Sequence, residues 1–288
     1  MLSNSKVLFS YNKSIYKLDL SNYHIYKELS FVSGMNNPLS IVNIDKIIGF
    51  RNSIIFGEYY GNPDRKPISI YQRDNKTSQW KKVYEFPAGA IKHIHNIIPD
   101  TYRNCVYILT GDSDSESGIW VSYNNFNKVE PLLIGSQKYR SCCAFAIPEG
   151  LLYATDDPSA DNYIYLLDLT NKQLHMITPI DGSCIYGAKY NNQFFFSTAV
   201  EPDSNILGFR YLLTSKLGKG VKDNKTHIYS GNIHFGFKEI LSFDKDIWPA
   251  GLCQFGSVKF YIENDHNIYL YPSAVKKFDG ELLKFNYK

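Results

Sequence analysis

The sequence predicts an all-β protein, a β-propeller with six blades, formed as one domain over residues 1–288. Tyr, Phe, Ile and Val occur in short apolar runs separated by Asn, Asp, Gly, Ser and Pro, which is the texture of strands and turns. Pairs of such runs recur about every 45 residues, and four strands per repeat of that length are typical of a propeller blade. A five-bladed propeller is the second choice.

Six pairs of adjacent strands define the predicted blades. They are residues 7–12 with 14–20, 53–59 with 67–74, 105–112 with 118–124, 151–157 with 163–169, 194–201 with 208–214, and 259–265 with 267–271. The segment 214–230 is predicted to be a loop.

Another apolar run precedes most pairs and is expected to form the innermost strand of each blade. These runs are residues 38–50, 94–98, 142–147, 185–190 and 251–255. The N-terminal pair lacks such a run, and residues 281–286 are expected to supply it. That pairing of the N- and C-terminal strands would close the ring and remove its exposed sheet edges.

Acidic residues fall at one repeating place, the end of the second strand. They are Glu58, Asp112, Asp156, Glu201 and Glu263. In a propeller these strand ends lie on one face, so the carboxylates are expected to converge around one mouth of the channel. A single acid after a strand is often only a turn residue. Clustered carboxylates repel unless a cation or shared protons offset them, so the repetition favours a functional role.

His93 and His95 stand at the start of a predicted innermost strand. Alternate residues of a strand point to the same side, so both imidazoles are expected to face the channel. Two such imidazoles near carboxylates suit acid–base chemistry or one divalent metal ion, with Mn, Zn and Ca as the options. The alternative is a hydrogen-bonded pair that ties blades together. The remaining histidines are predicted to be turn or surface residues: His24, His175, His227, His234 and His266.

Substrate-binding residues are expected beside these groups. Arg140 precedes another innermost strand and could hold a carboxylate. Tyr59, Tyr139 and Tyr186 lie at comparable positions, where their rings could stack on sugars.

Composition excludes several classes of protein. The formal net charge is +3 and the lysines and arginines are scattered, so nucleic-acid binding is not expected. No apolar run approaches the length of a membrane-spanning helix. The five cysteines include no CxxC motif and are predicted to be reduced thiols. Together with an N-terminus that lacks a secretory signal, this predicts a cytoplasmic protein.

Several short motifs, taken in order, resemble the BNR-repeat or sialidase-like propeller proteins that are associated with bacterial capsule and lipopolysaccharide gene clusters. The motifs are residues 57–59, 74–80, 93–95, 110–114, 139–140, 155–156 and 198–201. This resemblance covers roughly residues 50–205 and implies a propeller with a carbohydrate-related site on one face.

Two classes of function remain open at the level of sequence. The first is a carbohydrate-active enzyme, a glycoside hydrolase or a lyase. Hydrolysis would use two of the carboxylates Glu58, Asp112, Asp156 and Glu201. Elimination would use His93 or His95 as the base, with Arg140 or a metal ion on the substrate carboxylate, and oligouronide lyases on propellers are similar in this respect. The second class is a non-catalytic glycan- or protein-binding scaffold, since one fold serves many functions.

Overall fold

The computed structural model describes residues 5–31, 35–263 and 267–286. These residues form 22 β-strands, one short α-helix and one turn of 3₁₀-helix. The chain divides into two compact units, residues 1–140 and 141–288. Each unit contains three small antiparallel sheets.

The first unit is built from strands that pair with their neighbours in sequence. Its first sheet contains β1 (Lys6–Tyr11), β2 (Ser14–Asp19) and β3 (His24–Ser30). Its second contains β4 (Val42–Ile44), β5 (Ser53–Gly57), β6 (Ile68–Asp74) and β7 (Trp80–Phe86). Its third contains β8 (His93–Asp100), β9 (Cys105–Gly111), β10 (Gly118–Tyr123) and β11 (Lys128–Ile134), and the 3₁₀-helix Gln137–Tyr139 follows.

The second unit repeats this plan. Its first sheet contains β12 (Cys143–Ile147), β13 (Gly150–Ala154), β14 (Asn162–Asp168) and β15 (Gln173–Ile180). Its second contains β16 (Ser183–Tyr190), β17 (Gln193–Ala199), β18 (Lys225–Asn232) and β19 (Gly236–Asp244), with α1 (Phe209–Leu213) between β17 and β18. Its third contains β20 (Ser257–Glu263), β21 (Asn267–Ser273) and β22 (Leu283–Phe285).

Six successive small sheets of this kind are the blades of a six-bladed β-propeller, so the predicted fold class is confirmed. Five of the six predicted strand pairs are present close to their predicted bounds. The expectation of a single domain stays a prediction.

The predicted pair in the second sheet of unit two is wrong. The run 208–214 contains the helix α1 instead of a strand, and β17 pairs with β18, which begins inside the predicted loop 214–230 and ends at Asn232. The helix leaves Phe209 and Leu213 largely exposed. Strand β18 buries the polar side chains of Thr226 and Ser230, so its hydrophobic pattern is weak in the sequence.

Two innermost strands also differ from the prediction. Residues 251–255 contain no strand, and only Val42–Ile44 of the run 38–50 is strand. The predicted pairing of the chain ends is likewise wrong for the described residues, because β22 pairs with β21 of its own sheet. A turn returns the chain there, with the Gly280 amide donating to the Pro272 carbonyl and Gly280 at φ +71°.

The core of the first unit also fixes the strand that carries the two histidines. Ile94 and Ile97 of β8 are buried in one apolar cluster with Ile55 and Ile70. Gly57 makes this packing possible, because a Cβ atom there would lie 2.5 Å from Cγ2 of Ile94. β8 is therefore held by apolar contacts on the side away from its histidines.

All five cysteines are free thiols, as predicted. Among the described residues, no helix is both long enough and apolar enough to cross a bilayer.

Truncating the core of the first unit should destabilise it strongly. Ile55 is fully buried, so Ile55→Ala should lower the free energy of unfolding by about 2–5 kcal/mol through lost burial and a residual cavity. Ile25 lies on a strand of the same unit with 60% of its surface exposed, and Ile25→Ala should change it by about 0.5 kcal/mol or less. Urea unfolding followed by circular dichroism measures both, and equal effects would contradict the described core.

Candidate functional site

The pairing of β8 with β9 brings the two histidines next to an acid. His93 lies opposite Gly111, the last residue of β9, and Asp112 follows directly. The register shifts between Ile94 and Asn96, so His95 is the extra residue of a β-bulge. Bulges often change the direction of side chains near functional sites. Here the bulge lies at His95, whose imidazole contacts that of His93.

Three potential ligand atoms converge at this point. Nε2 of His93 lies 3.1 Å from Nε2 of His95, and each of these atoms lies 3.2 Å from Oδ1 of Asp112. Both histidines are buried, whereas the Asp112 side chain is 31% exposed. The group, here called the His93–His95–Asp112 triad, therefore has one member open to solvent.

The tautomer of His93 follows from its second nitrogen. Nδ1 lies 3.0 Å from the carbonyl oxygen of Tyr60, which can only accept, so Nδ1 carries the hydrogen. In the neutral ring, Nε2 then presents a lone pair towards the Asp112 carboxylate. The lone pair of Nε2 and the carboxylate of Asp112 repel each other, and a proton or a metal ion between them would remove this repulsion.

Two cations flank the acid. The ammonium group of Lys92 lies 2.6 Å from Oδ2 of Asp112, and a guanidinium nitrogen of Arg140 lies 3.5 Å from Oδ1. Burial opposes ionisation of Asp112, but its contacts with the His93 and His95 imidazoles and the Arg140 charge hold the pKa of the carboxyl well below its usual range. Two cations against one carboxylate leave the site positively charged.

The segment after β9 is held by its own hydrogen bonds. Backbone amides of Asp112 and Ser113 donate to Oε1 of Glu116 at 3.1 and 3.0 Å. Arg65 binds both oxygens of Glu116, at 2.7 and 3.1 Å. Gln137 donates to the Asp112 carbonyl at 2.8 Å. These contacts fix the position of the carboxylate relative to β8.

Gly111 lets the imidazole of His95 approach the end of β9. A Cβ atom at this position would lie 2.5 Å from Cε1 and 3.1 Å from Nε2 of His95. Contacts this short would force the imidazole to move, so the triad requires glycine here.

The predicted substrate-binding residues of the first unit lie in this region. The ring of Tyr59 lies 4.4 Å from that of His93 and 6.4 Å from that of His95, centroid to centroid. Arg140 donates to the Asp112 carbonyl at 3.1 Å as well as facing its carboxylate. Tyr139 ends the 3₁₀-helix directly before Arg140 and is partly buried.

Glu58 has a different environment from Asp112. It is buried, and its Oε2 accepts a hydrogen bond from the Ser69 amide at 2.7 Å. Burial raises the pKa of the Glu58 carboxyl. Its contacts tie β5 to β6, while its backbone carbonyl accepts from the Ile94 amide of β8.

The other predicted site residues belong to the second unit. Asp156 is buried, and its Oδ2 accepts from the thiol of Cys142 at 3.2 Å. Glu201 accepts from the hydroxyl of Ser183 at 2.8 Å. Burial raises the pKa of Tyr186 to about 12, and the Lys259 ammonium lies 5.4 Å from its ring. The catalytic roles of these residues stay predictions.

Three residues of the site were not predicted from the sequence: Lys92, Glu116 and Gln137. Lys92 directly precedes His93, and that adjacency was the one available signal. His227 corrects another prediction, since it is buried on β18 rather than a turn or surface residue. His266 lies outside the described residues.

The triad fits a divalent metal ion. Ligand atoms about 2.1 Å from an ion, at octahedral or tetrahedral angles, lie about 3.0–3.4 Å from one another. The three atoms of the triad already have this spacing. The backbone carbonyl that orients His93 is the kind of partner that metal-binding imidazoles commonly have.

No family model matches the chain, and none of the curated proteins matches it. Solved structures do resemble it. An oligogalacturonate lyase from Vibrio parahaemolyticus aligns with a TM-score of 0.57 at 11% identity, over 98% of this chain and 74% of that one. An oligogalacturonate lyase in complex with manganese gives 0.56 at 9% identity, over 95% and 75%. A nidogen/laminin complex gives 0.50 at 10%, over 93% and 85%. Similarity at this level of identity supports the propeller fold alone.

Adding one methyl group at Gly111 should displace His95. Gly111→Ala should therefore weaken the binding of Mn²⁺ or Zn²⁺ by at least about tenfold, the loss typical of disturbed ligand positioning. Gly61→Ala is the matched control, because nothing lies within 4 Å of a Cβ atom there. Equilibrium dialysis measures both affinities, and unchanged binding by folded Gly111→Ala would contradict the described packing.

Asp112 should make stability depend on pH. Its native pKa is depressed from the ordinary 3.8, so its contribution is complete above about pH 4 and decreases as the unfolded carboxyl gains a proton below that pH. Asp112→Asn should cost on the order of 2 kcal/mol at pH 7, because charge-assisted hydrogen bonds are lost.

The difference between wild type and Asp112→Asn should shrink as the pH falls below 4. Urea unfolding at several pH values measures it. A difference that stays constant from pH 7 to pH 2.5 would mean that Asp112 has an ordinary pKa.

Proposed function

We propose that the protein is a carbohydrate-active enzyme that cleaves a uronic-acid-containing glycan by metal-assisted elimination at the His93–His95–Asp112 triad. The observation that carries the proposal is the convergence of two imidazole nitrogens and one carboxylate oxygen at 3.1–3.2 Å. Imidazole and carboxylate together suit first-row transition metals such as Mn²⁺ and Zn²⁺.

The charge of the site supports an anionic substrate. Lys92 and Arg140 both lie against Asp112, so one positive charge is left to attract a substrate carboxylate. Arg140 has the planar donor geometry that suits carboxylates. Tyr59 lies against His93, where its ring could stack on a sugar.

The structural comparisons support the same reaction class without settling it. Two of the similar propellers are described as oligogalacturonate lyases, and one of these structures contains manganese. A nidogen/laminin complex is also among the similar structures. The triad carries the proposal, and the two lyase structures support the substrate class.

Elimination requires a defined proton path. The C5–H and C4–O4 bonds break, a C4–C5 double bond forms, and the C5 proton ends on the departing glycosyl oxygen. A bound divalent ion would withdraw electron density from the substrate carboxylate, which makes the C5 proton easier to remove. With both imidazoles engaged as ligands, we assign removal of the C5 proton to the deprotonated hydroxyl of Tyr59 and protonation of the departing O4 to the Lys92 ammonium. Return of one proton from Tyr59 to Lys92 would then restore both groups.

Hydrolysis by a carboxylate pair has less support. It needs two acids facing one glycosidic bond. In the first unit, Glu58 is buried against Ser69 whereas Asp112 contacts the histidines. The relationship to BNR-repeat and sialidase-like propellers remains a proposal that rests on the sequence motifs.

The proposal predicts that metal and activity are lost together. The purified protein, dialysed against Mn²⁺ or Zn²⁺ and then against buffer, should retain metal at the triad. The combined variant His93→Ala, His95→Ala should lose that metal, and kcat/KM on oligogalacturonate should fall by at least about a hundredfold. Plasma mass spectrometry measures the metal, and the ultraviolet absorbance of the unsaturated uronate product measures the reaction.

His24→Ala is the control, because His24 is an exposed histidine of the same unit. It should change neither readout. Neutral glucans should not be cleaved, because they lack the carboxylate that Lys92 and Arg140 would bind. A metal content of the double variant equal to that of wild type would refute the triad as a metal site, and a metal-loaded but inactive wild type would favour a binding scaffold.

A further inference from the structure

A second group of potential metal ligands lies in the second unit, away from the residues of the triad in sequence. Asp181, His227 and Glu239 each offer one ligand atom, and these atoms lie within 4.8 Å of one another. Asp181 follows β15, His227 is on β18 and Glu239 is on β19. The group joins the connection between two sheets to a hairpin of the second one.

One nitrogen of His227 is committed to a hydrogen bond. Nε2 lies 2.9 Å from Oδ1 of Asp223, and the same oxygen accepts from the Lys225 amide at 3.0 Å. A carboxylate accepts only, so Nε2 carries the hydrogen. This is the arrangement in which a carboxylate orients a metal-binding imidazole.

The other nitrogen of His227 has no hydrogen-bond partner although it is buried. The side chain is only 5% exposed, and Nδ1 faces Oε2 of Glu239 at 3.3 Å. In the neutral ring, Nδ1 carries a lone pair, so two acceptors face each other inside the protein. A cation between Nδ1 of His227 and Oε2 of Glu239 would satisfy both acceptors.

Asp181 is also held in place. The Tyr229 hydroxyl donates to its Oδ2 at 2.9 Å, and the Asp181 amide donates to the same hydroxyl at 3.2 Å. One carboxylate oxygen is thus occupied, and the carboxylate has a second oxygen that can serve as a ligand. Tyr229 and His227 lie two residues apart on β18, which places them on the same side of the strand.

The charges around His227 are unbalanced. Three carboxylates, those of Asp181, Asp223 and Glu239, surround one imidazole. Among the residues that the structure describes, no lysine or arginine forms an ion pair with any of the three. Glu239 is 41% exposed, so an ion could enter from solvent on that side.

We propose that Nδ1 of His227, with carboxylate oxygens of Asp181 and Glu239, binds a divalent transition-metal ion of the Zn²⁺ type. Zinc accepts both histidine nitrogen and carboxylate oxygen as ligands, and three protein ligands with water in the fourth position complete a tetrahedral site. Ligand atoms in such a site lie about 3.3 Å apart, the separation already present between His227 and Glu239. The bound ion would cross-link the β15–β16 connection to the β18–β19 hairpin.

Zinc binding to the full-length chain tests the site without requiring activity. Equilibrium dialysis of wild type should show two saturable sites. The His93→Ala, His95→Ala variant should keep one of them, and Glu239→Gln should lose that one, with its affinity lowered by at least about tenfold. Asp223→Asn, which changes only the orienting carboxylate, should weaken it by about 10- to 100-fold.

His234→Ala is the matched control, because His234 is an exposed histidine in the turn of the same hairpin. It should leave both sites intact. Far-ultraviolet circular dichroism establishes that each variant folds. Glu239→Gln should not disturb the fold, because the Glu239 side chain is exposed. Zinc should raise the thermal midpoint of the His93→Ala, His95→Ala variant, and Glu239→Gln should abolish that shift.

Two outcomes would overturn the proposal. The first is the absence of saturable zinc binding in the folded His93→Ala, His95→Ala variant. The second is unchanged binding after Glu239→Gln and His227→Ala. Neither outcome bears on metal bound at the His93–His95–Asp112 triad, so the two sites can fail independently.

Discussion

The candidate site depends on the antiparallel pairing of β8 with β9. This pairing sets His93 opposite Gly111 and therefore places Asp112 beside both imidazoles. A shift of one residue would turn the histidines towards the apolar cluster and Ile94 towards the acid. The register is secured because Ile94 and Ile97 are buried on the opposite side of β8. The site thus takes its geometry from a strand that the core already holds.

Asp112 is the electrostatic centre of that site. It faces two imidazoles, the Lys92 ammonium and the Arg140 guanidinium, and its pKa is depressed accordingly. Its backbone is anchored through Glu116, which is itself held by Arg65. Groups positioned in this way do not need to reorganise when a charged ligand arrives, which is the condition for strong electrostatic binding. The same arrangement leaves a net positive charge around Asp112, because two cations flank one carboxylate.

His93 in the first unit and His227 in the second are oriented in the same way. His93 commits Nδ1 to a carbonyl, and His227 commits Nε2 to a carboxylate. Each ring thereby directs its other nitrogen at an acidic oxygen, and that pairing of acceptors is stable only with a cation. The environments differ in charge, since Lys92 and Arg140 flank the first group whereas carboxylates surround His227. The first therefore suits an anionic substrate and the second suits a cation alone.

By itself the sequence determined the repeated strand pairs, the propeller class and the shared orientation of His93 and His95, because strand periodicity and turn residues are local properties. It also placed Asp112 at the end of the strand that follows. Tertiary structure decided what depends on non-local partners: β18 pairs with β17, β22 pairs with β21, and Glu58 is buried against Ser69. Lys92 and His227 acquire their surroundings only when distant segments meet, because the spacing of residues along the chain does not specify which atoms will be left facing one another.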